Sequence, residues 1–405
     1  MNLKRILPTV LSAVLLASAF TVCALYGQRE QPKPVISEPS AASTDSEADL
    51  QPMKGVWLTH MELSMEGEAD KSKTAFEHKF SDMIKKCKEF GFNCVVVQVR
   101  PFCDAMYKSS YFPYSHILTG TQGKDPGYDP LKLMCEICHR QGIRLHAWIN
   151  PYRVSLNNVP AEWSDDNPAV KEPDLLLKTG STTILDPSNE KARELIVNGV
   201  SEIVENYDVD GIQFDDYFYP TDINDLDKEQ YQTYASEAGD NVMSLTDWRK
   251  VNVNMLVAQT YIAIHRSKKA VVFGISPQGN LENNDALSAD VISWCCNKGY
   301  IDYICPQLYF SLDNPKLRFE DALKSWTELD LAKDMQLYIG LAGYKAGTDE
   351  DEGTWEKSEN ILKEEYKILK KNNKVGGFML YSYTSLLSDE AKSEAQSLKQ
   401  EMKLK

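Results

Sequence analysis

The sequence contains few histidines and little positive charge for its length. Six histidines occur among 405 residues, and 59 Asp and Glu residues outnumber 44 Lys and Arg residues, which gives a formal net charge of −15. A chain with this charge repels phosphate groups, so the sequence predicts no nucleic-acid partner. Since no histidine clusters with the acidic pair described below, the sequence predicts no metal site, and it predicts no cofactor.

The nine cysteines do not complete a metal-binding pattern. Cys135 and Cys138 have the spacing of half a zinc site, but no second pair or histidine partner completes it. Several of the remaining cysteines lie in apolar helix or strand patterns, which are typical of small buried side chains. Export would permit disulfides, and the sequence leaves the cysteine pairing open.

Long apolar runs are confined to the N-terminus. Lys4 and Arg5 precede an apolar run from residue 6 to about residue 26, which is typical of a secretory signal peptide or an uncleaved membrane anchor. We assign residues 1–27 to this segment, residues 28–52 to a disordered linker, and residues 53–405 to one folded catalytic domain. This order predicts an exported, monomeric protein, extracellular or in the cell envelope. Its membrane contact is limited to the N-terminal segment, and lipidation at Cys23 is an alternative fate of that segment.

The region after the linker alternates between β-rich and amphipathic helical stretches eight times. The predicted strands are residues 55–60, 94–99, 143–149, 209–214, 271–276, 302–309, 336–342 and 376–382. The predicted helices are residues 73–90, 130–141, 189–206, 245–267, 286–298, 316–329, 356–371 and 389–402. Alternation predicts a parallel sheet, and no Gly-x-Gly-x-x-Gly follows the first strand, which disfavours a dinucleotide-binding sheet. We therefore predict an α/β fold, a (β/α)8 TIM barrel with long βα loops at 101–129, 150–188 and 217–244.

Two adjacent aspartates follow the fourth predicted strand. Because side chains alternate along a strand, Gln213 and Asp215 are expected to point inward, and Asp216 lies where the strand ends. Glycoside hydrolysis needs two carboxyl groups, one to protonate the leaving oxygen and one to stabilise or attack the sugar carbon. We predict Asp215 as the principal catalytic carboxylate and Asp216 as its partner. The alternative is an ion-paired or metal-binding acidic turn, and a metal-dependent hydrolase would use the same pair.

Polar and aromatic side chains near the other strand ends are predicted to bind the sugar. They are Trp57, Gln98, Arg100, Asp104, Tyr107, His146, Trp148, Asn150, Tyr152, Gln307, Tyr309 and Tyr344. Trp148 and Tyr152 would form a stacking platform, whereas Arg100 and Asp104 have a structural salt bridge as their alternative. His146 lies deeper in its strand, where a hydrogen-bonded core histidine is the more frequent role. The seventh strand carries no acid, which favours a site built around the fourth strand.

These segments resemble the glycosyl hydrolase-like 10 family of bacterial envelope proteins, over about residues 53–388. The matching motifs include Lys54-Gly-Val-Trp-Leu-Thr59, Gln98-Val-Arg-Pro101, His146-Ala-Trp-Ile-Asn-Pro-Tyr-Arg153, Asp210-Gly-Ile-Gln-Phe-Asp-Asp-Tyr217 and Asp302-Tyr-Ile-Cys-Pro-Gln-Leu-Tyr309. The resemblance implies an exported barrel glycosidase that cleaves a polysaccharide. It also implies a cell-wall glycan of N-acetylated sugars, such as the glycan strands of peptidoglycan, as the substrate.

A weaker resemblance, to the family 18 chitinases, covers the fourth strand. Asp210, Gly211 and Asp215 match that family's motif, and Tyr309 is placed like its assisting tyrosine. Tyr217, however, stands where the family has its catalytic glutamate, so the resemblance implies no acid there. The sequence leaves open whether the mechanism is retaining, inverting or assisted by a substrate acetamido group. Because the seventh strand lacks an acid, a non-catalytic glycan-binding barrel is the alternative function.

Overall fold

Eight parallel strands close into a barrel in the computed structural model, which describes residues 52–221, 223, 225–356 and 358–404. The strands are β1 (Met53–Leu58), β2 (Cys94–Arg100), β3 (Arg144–Ile149), β4 (Gly211–Phe214), β5 (Val272–Ile275), β6 (Tyr303–Ile304), β7 (Gln336–Ala342) and β8 (Val375–Tyr381). Each strand pairs with its neighbours in the chain, and β8 closes the ring against β1. The predicted TIM-barrel fold is confirmed. The predicted N-terminal segment and nearly all of the predicted linker, residues 1–51, lie outside the described residues.

One helix packs outside the barrel after each strand. The barrel helices are α1 (Lys73–Phe90), α2 (Pro130–Arg140), α3 (Glu190–Asn206), α4 (Leu245–Ser267), α5 (Val291–Cys296), α6 (Phe319–Thr327), α7 (Ile361–Lys371) and α8 (Lys392–Lys403). Side-chain caps fix several starts: Ser72 accepts a hydrogen bond from the backbone N–H of Ala75 at the start of α1. Gly91 ends α1 at a φ of 101°, a left-handed conformation that strains other residues.

The long loops carry further structure of their own. A three-stranded antiparallel sheet, here named the loop sheet, consists of Arg153–Ser155, Leu176–Thr179 and Thr182–Leu185. Further helical segments in the loops are His60–Leu63, His116–Thr119, Pro168–Lys171, Pro173–Leu175, Lys228–Ala238, Gly239–Asn241, Leu281–Leu287, Gly343–Lys345, Glu350–Gly353 and Tyr383–Leu386. The sequence does not predict these segments as separate helices, because most are too short to show a period.

The sixth strand is shorter than the sequence predicted. Only Tyr303–Ile304 forms a strand, whereas residues 302–309 were expected to. Pro306 lacks a backbone N–H and interrupts the ladder. Gln307 nevertheless continues the sheet through single bridges to Gln278 and Gly340, so the end of this segment still reaches the mouth of the barrel.

The barrel interior alternates small and large residues. Its apolar members are Met53, Trp57, Cys94, Val96, Trp148, Tyr303, Cys305 and Met379, and a larger apolar layer lies between strands and helices. A Cβ added at Gly274 would lie 2.2 Å from the ring of Tyr303, and one added at Gly211 would lie 2.8 Å from the ring of His146. Because these glycines have no side chain, the neighbouring rings can pack directly against their backbone.

Side chains join the N-terminal ends of alternate strand pairs. Asn93 Oδ1 accepts the backbone N–H of Lys54 at 2.9 Å, which links β1 to the start of β2. Asp210 Oδ2 accepts the N–H of Leu145 at 2.7 Å and His139 Nε2 at 2.9 Å.

The same arrangement recurs two strands later. Asp302 Oδ2 accepts the N–H of Phe273 at 2.7 Å and His265 Nε2 at 3.0 Å. In β1, β3 and β5, a backbone N–H near the start of the strand thus donates to a side chain. In each case that side chain belongs to the residue just before the next strand.

The eight cysteines of the described part are free thiols, and all except Cys296 are buried. Burial raises the pKa of Cys94 to about 12, so that thiol stays protonated near neutral pH. Within the described ranges, no group of three or more His, Cys, Asp and Glu side chains is placed to hold a metal ion. In the same part of the chain, no helix combines the length and the apolarity needed to cross a membrane.

We expect Gly274→Ala to lower the free energy of unfolding by about 1–3 kcal/mol, because the new methyl group collides with the ring of Tyr303. Urea unfolding followed by circular dichroism measures the change. Gly67→Ala is the matched control, since a Cβ at Gly67 meets no atom within 4 Å. Equal midpoints for the two variants would contradict this account of the interior.

Candidate active site

The candidate site lies at the C-terminal ends of the strands, where parallel barrels place their functional groups. Gln98 on β2 pairs with Trp148 on β3, which pairs with Gln213 on β4, so these three residues lie side by side on the inner wall. Asp215 comes directly after β4, and Asn150 directly after β3. The period of the strands therefore brings one carboxyl group and several amides to the same level of the barrel.

Asp215 is held by donors from two neighbouring segments. Asn150 Nδ2 donates a short hydrogen bond to its Oδ2, and Trp148 Nε1 donates to the same oxygen at 3.3 Å. The backbone N–H of Tyr217 donates to Oδ1 at 3.3 Å, and Arg153 Nη2 lies 4.0 Å from Oδ2. The residue is only 4% exposed, so its carboxyl group is oriented and nearly dry.

The environment of Asp215 favours its protonated form. Burial raises the pKa of Asp215 from 3.8 to about 7; Arg153 opposes this shift, and the neighbouring charge of Asp216 adds to it. Burial disfavours a carboxylate because the charge loses its hydration. A carboxyl group with this pKa can both give and take a proton near neutral pH.

Asp216 faces a different pair of donors. Gln278 Nε2 donates a short hydrogen bond to its Oδ2, and Gln307 Nε2 donates to Oδ1 at 3.1 Å and to the carbonyl of Ser276 at 3.0 Å. Burial raises the pKa of Asp216, whereas the two amide donors oppose that shift because they stabilise the carboxylate. The two aspartates are thus adjacent in sequence but are oriented by different strands.

A layer of hydrogen bonds supports the aspartates from below. Gln98 Nε2 donates to Asn150 Oδ1 at 2.6 Å, while Gln98 Oε1 accepts from His60 Nδ1 at 2.7 Å. Trp57 Nε1 donates to Gln213 Oε1 at 2.6 Å. Gln98 and Trp57 are almost fully buried, so in this structure they position other side chains.

His146 lies deeper still, beside the hydroxyl of Tyr303, with 3.0 Å between Nδ1 and the oxygen. Burial lowers the pKa of His146 to about 3, so the imidazole is neutral at ordinary pH. The core role that the sequence left open for this histidine fits its position, and the ring lies below the aspartates rather than beside them.

Aromatic rings lie around the aspartates at the C-terminal mouth of the barrel. The ring of Tyr381, at the end of β8, lies 5.8 Å from those of Tyr309 and Tyr344 and 6.5 Å from that of Trp148. Tyr344 is 45% exposed, and Tyr217 on the β4 side is 51% exposed. Such rings offer an apolar face together with a hydroxyl, a combination that suits the faces and hydroxyl groups of a sugar.

A family match covers most of the chain. The family model described as glycosyl hydrolase-like 10 matches residues 52–357. This chain belongs to the glycosyl hydrolase-like 10 family. The resemblance inferred from the motifs is therefore confirmed.

Relatives in two bacteria are both named as glycosyl hydrolases. Glycosyl hydrolase YngK of Bacillus subtilis is 37% identical over 339 residues, which are 78% of this chain and 65% of that protein. Glycosyl hydrolase DigH of Escherichia coli is 31% identical over 372 residues, which are 83% of each chain. This chain thus spans less than two thirds of the Bacillus relative. Family membership and these relatives support a glycosidase-like function.

Two solved structures share the fold at low sequence identity. The PgaB (BpsB) glycoside hydrolase domain from Bordetella bronchiseptica has a TM-score of 0.57 at 14% identity, covering 88% of this chain and 99% of that one. Alpha-L-fucosidase isoenzyme 2 from Paenibacillus thiaminolyticus has a TM-score of 0.53 at 15% identity, covering 87% of this chain and 49% of that one. Both extend the family's barrel architecture to enzymes of distant sequence.

Two residues of β2 and its loop do not face the opening, contrary to the sequence prediction. The register shifts between Gln98 and Arg100, so Arg100 pairs with Ile149, whose side chain faces the helices. Its guanidinium lies 4.4 Å from the ring of Phe112. Tyr107 is fully buried in the same outer layer, so the predicted sugar contacts of Arg100 and Tyr107 are corrected.

Asp104 and Tyr152 are also removed from the opening. Asp104 is fully buried and accepts from Gln122 Nε2 at 3.0 Å, with His116 Nδ1 at 3.4 Å. The salt-bridge alternative with Arg100 does not form, since Arg100 stacks elsewhere. Tyr152 is fully buried in the layer between strands and helices, so it does not form the predicted stacking platform with Trp148. The ring beside Trp148 is that of Tyr381.

Four further residues of the site were missing from the sequence prediction: Arg153, Tyr217, Gln278 and Tyr381. Gln278 and Tyr381 follow strand-end patterns, and that position could have identified them. Tyr217 was noted only as a replacement for an acid. Arg153 belongs to the loop sheet, whose strands are too short for a sequence period to predict which way its side chain points.

Glu62 is a third carboxylate near the mouth, also overlooked in the sequence. Its Oε2 accepts the backbone N–H of Thr59 at 2.6 Å, and its Oε1 accepts the N–H of Thr384 at 2.6 Å and the Ser382 hydroxyl at 2.9 Å. These bonds tie the loop after β1 to the loop after β8. Glu62 therefore has a structural role, because it links the loops that follow the first and the last strand at the mouth of the barrel.

We expect Asp215→Asn to raise the free energy of unfolding at neutral pH, by up to about 4 kcal/mol, because it removes a buried carboxyl group with a raised pKa. The unfolded carboxyl ionises near 3.8 and the folded one near 7. The advantage of the variant should therefore grow as the pH rises from about 4 to about 7 and then stay constant.

Chemical unfolding at several pH values measures this difference. Asp330→Asn is the matched control, since Asp330 is exposed and its removal is expected to change little. A difference between Asp215→Asn and the wild type that does not depend on pH would contradict the raised pKa.

Proposed function

We propose that this protein is an exported glycoside hydrolase that cleaves glycosidic bonds in a polysaccharide, with Asp215 and Asp216 as its catalytic residues. The observation that carries the proposal is the pair of adjacent, buried carboxyl groups after β4, which lie among aromatic side chains at the C-terminal end of the barrel. Each carboxyl group is held by two side-chain donors, so the pair is oriented before any substrate arrives.

Asp215 is the proton donor in this proposal. Its pKa of about 7 leaves a large share of the molecules protonated near neutral pH, which an acid needs in order to protonate the leaving oxygen. The donors Asn150 and Trp148 then stabilise the carboxylate that remains after the proton has left.

Asp216 is the ionised partner. Burial raises the pKa of Asp216, and Gln278 and Gln307, which donate to its two oxygens, oppose that rise by stabilising the carboxylate. A carboxylate beside the sugar ring stabilises the positive charge that develops at the anomeric carbon. Tyr309 and Tyr344, on the other wall of the opening, hold the ring against this charge.

The proposed substrate is a cell-wall glycan, in particular the glycan strands of peptidoglycan. The support consists of membership in the family, of the cell-envelope role that the sequence resemblance to this family implies, and of the signal or anchor segment predicted at residues 1–27. On the same support we propose that the protein acts outside the cytoplasm, in the envelope or beyond it, and we keep the prediction that it is a monomer. A net charge of −15 disfavours nucleic acid as a ligand.

A non-catalytic glycan-binding protein is the second candidate. Tyr344, at the end of β7, contributes a ring and not an acid, and Glu62 is occupied by bonds to its own loops. A barrel with these contacts could hold a glycan through its aromatic rings alone.

We expect Asp215→Asn to reduce glycan cleavage at least about 100-fold, because the proton donor is lost while the fold is kept. Mass spectrometry of products from purified sacculi and from stripped glycan strands measures the release of fragments. Asp313→Asn, at an exposed aspartate after β6, is the control that should retain activity. Full activity of Asp215→Asn would exclude the assignment, and binding by the wild type without any release would favour the second candidate.

The pH dependence of the wild type should follow Asp215. We expect kcat/KM to fall as the pH rises through about 7, since a donor must be protonated to act and Asp215 then loses its proton. Initial rates of fragment release over a pH series measure this limb. A rate that stays constant well above that pH would assign the donor role to another group.

A further inference from the structure

Arg153 is brought to the aspartates by a strand that a simple barrel does not contain. It opens the first strand of the loop sheet and pairs with Ile184, while Leu185 N donates to the carbonyl of Tyr152 at 2.8 Å. Val154 and Ile184 are buried and anchor the sheet on the layer between strands and helices. The position of the Arg153 side chain is therefore fixed from outside the barrel ring.

The contacts of Arg153 join the floor of the site to its rim. Its Nη2 lies 4.0 Å from Asp215 Oδ2, and its Cζ lies 4.2 Å from the centre of the Tyr217 ring. The side chains of Arg153 and Asp215 are 9% and 6% exposed, so their attraction is only weakly screened by water. Stacking on Tyr217 keeps the flat guanidinium in place.

The other groups around Asp215 supply no positive charge. Trp148 and Asn150 from the β3 side are neutral donors. Asp216 from the same loop carries a like charge. Tyr217 and Tyr381, which also interact electrostatically with Asp215, have raised pKa values and stay neutral. Arg153 is thus the cation that counteracts burial at this carboxyl group.

We propose that Arg153 is a positioning residue that sets the pH at which Asp215 releases and regains its proton, so that the loop sheet tunes the acid of the site. The consequence for catalysis rests on the proposed function, whereas the effect on Asp215 itself does not. Without the guanidinium, Asp215 keeps its proton to higher pH. Lysine at this position keeps the charge but cannot stack as a plane on Tyr217, and it should act in part.

The indole of Trp148 provides a direct measurement, because its Nε1–H donates to Asp215. We expect the indole 15N–1H signal of Trp148, in the full-length protein labelled at its seven tryptophans, to titrate with Asp215. The signal is assigned by its loss in Trp148→Phe, and the titration is assigned by its loss in Asp215→Asn. In Arg153→Gln the midpoint should rise by about one pH unit or more, and in Arg153→Lys by less.

Lys178→Gln is the matched control, since Lys178 is an exposed cation on the loop sheet, and its midpoint should equal that of the wild type. The remaining indole signals report whether each variant is folded. An unchanged midpoint in folded Arg153→Gln overturns the proposal. If that variant does not fold, Arg153→Met decides, because it also removes the charge but keeps much of the side-chain volume, and an unchanged midpoint there overturns the proposal equally.

Activity separates this inference from the proposed function. Where the wild type cleaves glycan, the limb of kcat/KM that falls with rising pH should move upward in Arg153→Gln by the same amount as the indole midpoint. If no glycan is cleaved and the midpoint still shifts, the proposed function fails and the role of Arg153 stands. If cleavage depends on Asp215 and the midpoint does not shift, the proposed function stands and the role of Arg153 fails.

Discussion

The arrangement of the mouth depends on burying two adjacent carboxyl groups in a place where water cannot stabilise their charge. An isolated carboxylate at that depth would be strongly destabilising, and amide, indole and backbone donors offset the loss of hydration. The donors come from β3 and its continuation for Asp215, and from the ends of β5 and β6 for Asp216. The register of the barrel strands is therefore a condition of the chemistry, because a shift by one residue would turn these donors away.

The side chains below the aspartates depend on the same strand register, because they form contacts between strands throughout the barrel interior. Gln98 and Gln213 face inward at the same level, and each uses its amide to join one strand to another. Beneath them the rings of His146 and Tyr303 fill space that Gly211 and Gly274 leave open. The site is thus supported by contacts that lie far from any ligand, and this explains why the inward positions of the strands combine amides, large rings and glycines.

Sequence patterns predicted most of the barrel because most of its helices and its longer strands extend over enough residues to show their period, and because they alternate regularly along the chain. The inward direction of Asp215 and Gln213 followed from alternation alone. Arg100 shows where alternation fails, since one register shift after Gln98 turns its side chain outward. Arg153 shows a second limit: the loop sheet consists of strands of three or four residues, and its approach to the site depends on tertiary packing.

The side chains that join strand starts at the opposite end of the barrel have a consequence for its construction. Asn93, Asp210 and Asp302 each bind the backbone of the preceding strand, so the ring divides into modules of two strands and two helices. His139 and His265 bind across the boundary to the next module. New chain termini placed between α2 and β3, between α4 and β5 or between α6 and β7 would leave every backbone bond of this set within one module, which makes these boundaries suitable points for circular permutation.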